Sequence, residues 1–301
     1  MLRKLLHAVA LVALLVSATD AAQSPIFVFT AIPDQDETRL VERFSRFAKY
    51  LEAQLGVPVK YVPVKTYPAA VTAFINGDVQ LAWFGGYTGV QARHAVPGSE
   101  AIAQGAEDVN FKSYFIANSD TGLKSSKDFP AGIQGKTLLF GSRSSTSGRV
   151  MPEYFIRKHF AGKQPDEIFS RIGFSGDHSR TLQLVQSGAY QVGVMDYTVY
   201  EVEKKAGRVN ESRVAVIWES PTFPDYQFTI RGDVDKQFGP GFKDKVRQAI
   251  VSLADPEILG YFARSKFIPA SNAQYAPIEE VAAATSAAGG ATRVRRLYSV
   301  E

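Results

Sequence analysis

Apolar positions along the first third of the chain switch between two rhythms. Residues 26–32 (Ile-Phe-Val-Phe-Thr-Ala-Ile) are β-branched or aromatic and stop at Pro33, which predicts a strand. From residue 36 the period lengthens. Leu40, Phe44, Phe47, Leu51 and Leu55 recur at intervals of three and four, the stripe of a helix that Gly56 ends. Residues 57–64 read as a second strand. A helix opened by Pro68 carries Val71, Phe74 and Ile75 and stops at Asn76-Gly77, and residues 79–84 form a third strand that runs into the turn at 85–89. Strand, helix, strand, helix, strand predicts a parallel sheet with right-handed crossovers. Ligands of such sheets sit at the carboxyl ends of the strands, here the loops at 33–37, 65–68 and 85–89.

The pattern then changes character and restarts. Residues 112–117 read as an extended strand crossing to a polar stretch at 118–127. A second α/β unit follows, with strands at 136–141, 168–174 and 191–195 and helices at 149–160, 177–187 and 197–205. Residues 214–219 fit a return strand, and 239–253 and 278–285 fit closing helices. The whole predicts an α/β protein of two lobes, each a mainly parallel sheet flanked by helices, joined by a two-strand hinge. Residues 23–117 with 221–290 make one lobe, 118–220 the other, and 291–301 a flexible tail.

The chain starts with a basic pair, Arg3-Lys4, an apolar run over 5–16 broken only by His7, and small residues at 17–22. That order is the pattern of a cleaved secretory signal over residues 1–22; a retained N-terminal anchor is the alternative. The run is shorter than the roughly 20 residues a bilayer requires. There are no cysteines, so neither lipidation nor disulfides enter the picture, and the core must suffice alone. Loss of Arg3, Lys4 and Asp20 lowers the formal charge from +4 to +3. Without dense basic clusters this excludes nucleic acid as the expected partner.

Two segments carry candidate chemistry. Gly141-Ser142-Arg143-Ser144-Ser145-Thr146-Ser147-Gly148 lies between a strand and a helix. A helix start exposes unpaired N–H groups and the positive end of the dipole, and hydroxyls beside it complete a cradle for a tetrahedral anion. A plain N-cap at Ser147 in a solvated loop explains the same composition. Ser175-Gly176-Asp177-His178 sits at the next strand–helix junction, where His178 can donate to an anion or serve as an ordinary polar residue. Tyr67 and Tyr87 stand at strand ends of the first lobe, as an opposing wall or as packing.

Enzyme signatures fail. Gly135-Lys136-Thr137 imitates the end of a nucleotide phosphate loop, but residue 130 is proline where glycine is needed and a strand follows. His7, His94, His159 and His178 lack metal-ligand spacing, and there is no Gly-x-Ser-x-Gly elbow and no cysteine nucleophile. No cofactor is expected.

Taken in order, Phe47-Ala48-Lys49-Tyr50-Leu51-Glu52-Ala53-Gln54-Leu55-Gly56, Tyr67-Pro68-Ala69-Ala70-Val71, Phe84-Gly85-Gly86-Tyr87, Ser145-Thr146-Ser147-Gly148, Gly176-Asp177-His178 and Trp218-Glu219-Ser220-Pro221 resemble the periplasmic phosphonate, phosphite and phosphate binding proteins of ABC importers. Selenate binders are similar too. The resemblance covers nearly all of the mature chain. It implies a type II two-lobed periplasmic binding protein, acting without catalysis as a monomer with a permease of the inner membrane. Ser145, Thr146 and Ser147 would hold a small oxyanion, His178 would donate from the same lobe, and Tyr67 and Tyr87 from the other. Members that bind aminoalkyl phosphonates place a carboxylate after the strand matching 191–195. Here that segment is Asp196-Tyr197-Thr198, with Tyr197 and Thr198 in register and Asp196 offset, so both Asp196 and Tyr197 are candidates and amine recognition is not expected. Other readings of the same scaffold are an enzyme related to pyrimidine-precursor synthases, which the absence of a cysteine or histidine cluster opposes, and an extracellular sensing module. A carboxylate reaching the anion, from Asp34, Asp36, Asp196 or Asp225, would favour a protonated phosphorus ligand over sulfate or selenate.

Overall fold

The first apolar run becomes β1 (Phe27–Ala31), whose Phe27 and Phe29 are fully buried. In α1 (Glu37–Leu55), Asp36 caps the start by accepting from Thr38 N at 3.0 Å, and Gly56 ends it in the left-handed region at φ 69°. Its stripe of Leu40, Phe44, Phe47, Leu51 and Leu55 lies on the sheet, with Phe47 edge-on to Phe29 at 5.6 Å. Burying a side chain of that kind stabilises by about 1.5–3 kcal/mol, which fixes the helix against β1. Next come β2 (Val59–Tyr61), α2 (Tyr67–Asn76) with Thr66 as its cap, β3 (Leu81–Phe84), α3 (Gly86–Ala95) and β4 (Glu100–Gly105). The second unit holds β5 (Ser113–Asn118), β6 (Thr137–Phe140), α4 (Met151–His159), α5 (Pro165–Ile168), β7 (Arg171–Phe174), α6 (His178–Gln186), β8 (Val192–Asp196), α7 (Tyr197–Lys205) and β9 (Val214–Glu219). The chain returns through β10 (Gln227–Ile230), α8 (Val234–Phe238), α9 (Phe242–Val251), α10 (Pro256–Phe262), β11 (Phe267–Pro269) and α11 (Ala276–Ala287). These elements belong to a computed structural model that describes residues 25–287; the expected signal (1–22) and tail (291–301) lie outside the described residues.

Two sheets result. The first has the order β11-β4-β10-β3-β1-β2, parallel among β1, β2 and β3, with β10 antiparallel between β3 and β4. The second runs β7-β6-β8-β5-β9, parallel among β6, β7 and β8 and antiparallel at β5. Both sheets are mixed because the crossing strands enter them in reverse. β5, expected as a crossing strand of the first lobe, pairs with β8 and β9 and therefore lies in the second sheet. The crossings sit at residues 106–112 and 220–226. They pair with each other: Phe111 N donates to Phe223 O at 2.9 Å and Phe223 N to Phe111 O at 2.8 Å. α3, β4, α5, β10, α8, α10 and β11 had no sequence counterpart.

Each sheet has its own core. Aromatics such as Phe29, Phe47, Trp83, Phe228 and Phe262 fill the first. Phe115, Phe140 and Trp218 cover one face of the second sheet, and Ile116, Leu182 and Met195 the other. α11 packs on α3 of the first lobe and on α4 of the second, so it straddles the seam.

Candidate functional site

The seam closes where strand ends of both lobes meet. His178 N donates across it to Asp34 O at 2.9 Å, Tyr87 N to Thr146 Oγ1 at 3.0 Å, and Arg39 pairs with Glu203. A cleft of about 580 Å³ opens between the lobes, lined among others by Pro33, Lys65, Tyr67, Ser142, Phe174 and Asp177. Two of the three loops expected to face a ligand in the first lobe, 33–37 and 65–68, form its wall. The third, at 85–89, lies deeper, against Thr146 and Asp225: a methyl added at Gly85 would stand 3.1 Å from Asp225 Oδ1 and 3.2 Å from Thr146 Oγ1.

Behind the cleft, a group of buried polar atoms lacks a well-formed hydrogen bond: Tyr67 Oη, Ser147 Oγ, His178 Nε2 and Asp225 Oδ2, with Ser147 beside Asp225 and Tyr67 beside Ser145, while Asp34 Oδ1 faces Arg43 at 3.8 Å. Their side chains are at most 3 % exposed. They are also mutual neighbours, since Tyr67 feels the charges of Asp34 and Asp225, and Asp34 that of His178. Leaving one buried donor or acceptor unpaired costs about 1–3 kcal/mol. Several such atoms in one neighbourhood suit a polar guest.

Local chain geometry supplies each donor. Ser145 is the actual cap of the helical turn at Thr146–Val150, accepting from Gly148 N at 2.9 Å, so Ser147 is free of that duty. Gly148 is required there: a Cβ would meet His178 Cε1 and Ser145 Oγ, each at 2.9 Å. His178 begins α6, and its Nδ1 accepts from Asp196 N at 3.2 Å. With Nδ1 accepting, the ring proton sits on Nε2, the nitrogen left over as a donor for a guest. Tyr67 begins α2, capped by Thr66.

The carboxylates differ. Burial pushes Asp225 up to about 7, against the pull of Gly86 N–H and the neighbouring Thr146 and Ser147 hydroxyls. Gly86 N donates to Asp225 Oδ1 at 2.9 Å, leaving Oδ2 for a guest. Burial raises Asp34 as well, although Arg43 (3.8 Å) and His178 oppose it.

Not every expected residue presents its side chain here. Thr146 Oγ1 is engaged by Tyr87 N and lies against Asp225. Tyr87 gives its backbone N–H to Thr146, and the residue lines a separate cavity with Arg149 and Glu153. Asp196 caps α7, its Oδ1 accepting from Thr198 N (2.6 Å) and Thr198 Oγ1 (2.8 Å). Tyr197 packs edge-on to Phe111 at 4.8 Å beside the crossing. These two support the site from behind, Asp196 by orienting His178. Asp225 was one of four carboxylates left open by the sequence and Asp34 another; Tyr226, hydrogen-bonded to Asp34, was not foreseen.

Known proteins align with this geometry. A family model described as ABC transporter, phosphonate, periplasmic substrate-binding protein matches residues 29–275. A probable ABC transporter phosphite binding protein, PhnD1 of Prochlorococcus marinus (strain MIT 9301), is 41% identical over 264 residues, covering 83% of this chain and 86% of its own. The structure of PhnD1 in complex with methylphosphonate superposes with a TM-score of 0.82 at 38% identity, over 87% of this chain and 98% of that one. The phosphate-import protein PhnD of Mycolicibacterium smegmatis is 26% identical, covering 81% of this chain and 80% of its own.

Proposed function

The chain belongs to the periplasmic substrate-binding proteins of phosphonate ABC transporters, and we propose that it captures a singly protonated phosphorus oxyanion, a small phosphonate or phosphite, for delivery to an inner-membrane permease. It is a binding component of an importer, not an enzyme. The observation that carries the choice of ligand is the balance of the unpaired atoms. Tyr67, Ser147 and His178 offer three donors, and Asp225 Oδ2 offers an acceptor. A hydrogen phosphonate has oxygens for the donors and one P–OH for the acceptor. Sulfate and selenate have no such proton, so an ionised Asp225 repels them.

In this reading Ser145 and Thr146 shape the turn and bolt it to the opposite lobe, while Ser147 and His178 touch the ligand with Tyr67. The protein acts as a monomer without nucleic acid, is exported by cleavage of its first 22 or so residues, and closes around the ligand as hinged binding proteins do. Lobe assignments follow the sheets, with the passage between them at 106–112 and 220–226.

A thermal-shift panel tests this. A ligand at 100 times its dissociation constant adds about 2.7 kcal/mol, worth a few degrees in a chain of this length. Methylphosphonate, phosphite or phosphate should raise the melting temperature at pH 7.5, and sulfate and selenate should not. An equal response to selenate would overturn the choice of ligand.

A further inference from the structure

A second, smaller cavity of about 160 Å³ lies at the seam beside the Thr146–Val150 turn, and its lining includes Arg143, Arg149 and Glu153 of the second lobe with Tyr87 and Thr285 of the first. Arg143 lines both this cavity and the 580 Å³ cleft, so it stands at the junction of the two. Aromatic faces hold the two guanidinium groups. Arg143 lies 3.7 Å from the Phe174 centroid and Arg149 4.8 Å from that of Phe140, and the two rings stack at 5.7 Å.

Charge is not balanced there. Glu153 is shared by Arg149 and Arg157, while Arg143 is held by an aromatic ring rather than a carboxylate. Arg149 is lowered to about 10 by burial first, with Arg143 and Arg157 adding to it. The first-lobe wall of the cleft has the other sign: Asp36 and Glu37 line it, and Lys65 is tied to Glu37 at 2.6 Å, while Asp177 adds a carboxylate on Arg143's own side. An anion approaching that wall is repelled, and one approaching the arginines is drawn in.

We propose that Arg143 and Arg149 form a cationic ledge that receives the incoming oxyanion at the seam and passes it to the Ser147–His178 donors, so that the ledge sets the association rate. The inference rests on the oxyanion reading of the main site. A weakly hydrated, planar guanidinium on an aromatic face is suited to this work: Arg143 offers charge and donors from the Phe174 ring, and Arg149, paired with Glu153, stands behind it. Arg149 and Ser147 both belong to the short turn Thr146–Val150, which places one receiving and one final group on the same piece of backbone.

Rapid mixing of the full chain with methylphosphonate tests it, followed by the fluorescence of Trp83, which stacks on Tyr226 at 5.4 Å next to Asp225. Arg143 is exposed, so Arg143→Gln should fold normally. At an ionic strength near 0.01 M, where charges act over about 30 Å, the on-rate of Arg143→Gln should fall by roughly three- to tenfold. Its off-rate should stay put and its salt dependence flatten. Arg143→Lys, which keeps the charge but loses the stacking plane, should recover most of the on-rate. An on-rate of Arg143→Gln equal to wild type at every ionic strength, or a loss confined to the off-rate, overturns the ledge. Failure of the wild type to bind methylphosphonate in calorimetry would instead count against the proposed ligand, so the two failures are told apart.

Discussion

Replacing Asp225 with asparagine removes one charge and one acceptor while keeping the shape, and the structure sets the consequences in three places. Asparagine Oδ1 can still accept from Gly86 N, now at 2.9 Å, so the loop at 85–86 should stay in position. The second carboxylate oxygen becomes an amide donor facing the P–OH. A hydrogen bond to a charged group contributes about 1.5–3 kcal/mol, so affinity for methylphosphonate should drop by roughly ten- to a hundredfold. The pH profile should change too. In the wild type an ionised Asp225 and a singly protonated ligand coexist best near neutrality, so affinity peaks there and the flanking values belong to the pair. In Asp225→Asn the acidic limb should disappear, and sulfate should gain. Stability has its own sign. Burial raises Asp225 from 3.8 to about 7, so its contribution to the ligand-free fold is fully present below the unfolded value and is lost as pH rises through about 7. That loss is on the order of 4 kcal/mol at pH 8, and the asparagine variant escapes it. Its ligand-free melting temperature should therefore equal wild type near pH 4 and exceed it at pH 8. Titration calorimetry at pH 6, 7 and 8, with melts over the same range, measures both. Unchanged phosphonate affinity in Asp225→Asn would refute the acceptor role.

Ser147→Ala removes a donor with no capping duty, so calorimetry should show at least tenfold weaker binding with an unchanged melt. Ser145→Ala loses the cap instead, and its melting curve should report a cost of about 1 kcal/mol. His178→Gln should weaken binding by roughly tenfold in calorimetry at pH 7.5, because it loses the Nε2 donor; wild-type affinity would show that the ring does not touch the ligand. Gly148→Ala drives a methyl into His178 and Ser145, so scattering with and without ligand should show it failing to contract where the wild type does.

Legibility in the sequence followed the range of the forces involved. The stripe of α1, the caps Asp36 and Gly56 and the strand–turn–helix at 137–159 are encoded within a few residues, and they could be read there. α3 could not, because Gly86-Tyr87-Thr88-Gly89 shows turn chemistry and no apolar stripe. β10 and β11 are four and three residues long and owe their state to partners more than a hundred residues away. The site divides the same way. The serine turn and His178 announce themselves by helix starts, whereas Asp225 is one aspartate in Pro-Asp-Tyr until β10 carries it beside Gly86. Tyr87 was read by its side chain, and its backbone N–H also ties the two lobes through Thr146, a contact that side-chain chemistry alone does not signal. Asp196, offset from the register of amine-binding relatives, turns inward to cap its own helix and hold His178.

The placement of β10 also orders events in the life of the chain. β3 and β4 follow one another in sequence, yet they are not neighbours, because β10 lies between them. Until that strand is made, the first sheet exists as two pieces, and closing the gap from β4 to β10 spans about 120 residues. The second sheet needs nothing beyond residue 219 and can be complete while the first still waits. During that interval Leu81–Phe84, wholly buried in the finished protein, presents an open apolar edge of the kind that pairs with other chains. Aggregation of newly made protein should therefore begin at β3, and a fragment ending after β9 should keep a folded second lobe beside an unfinished first.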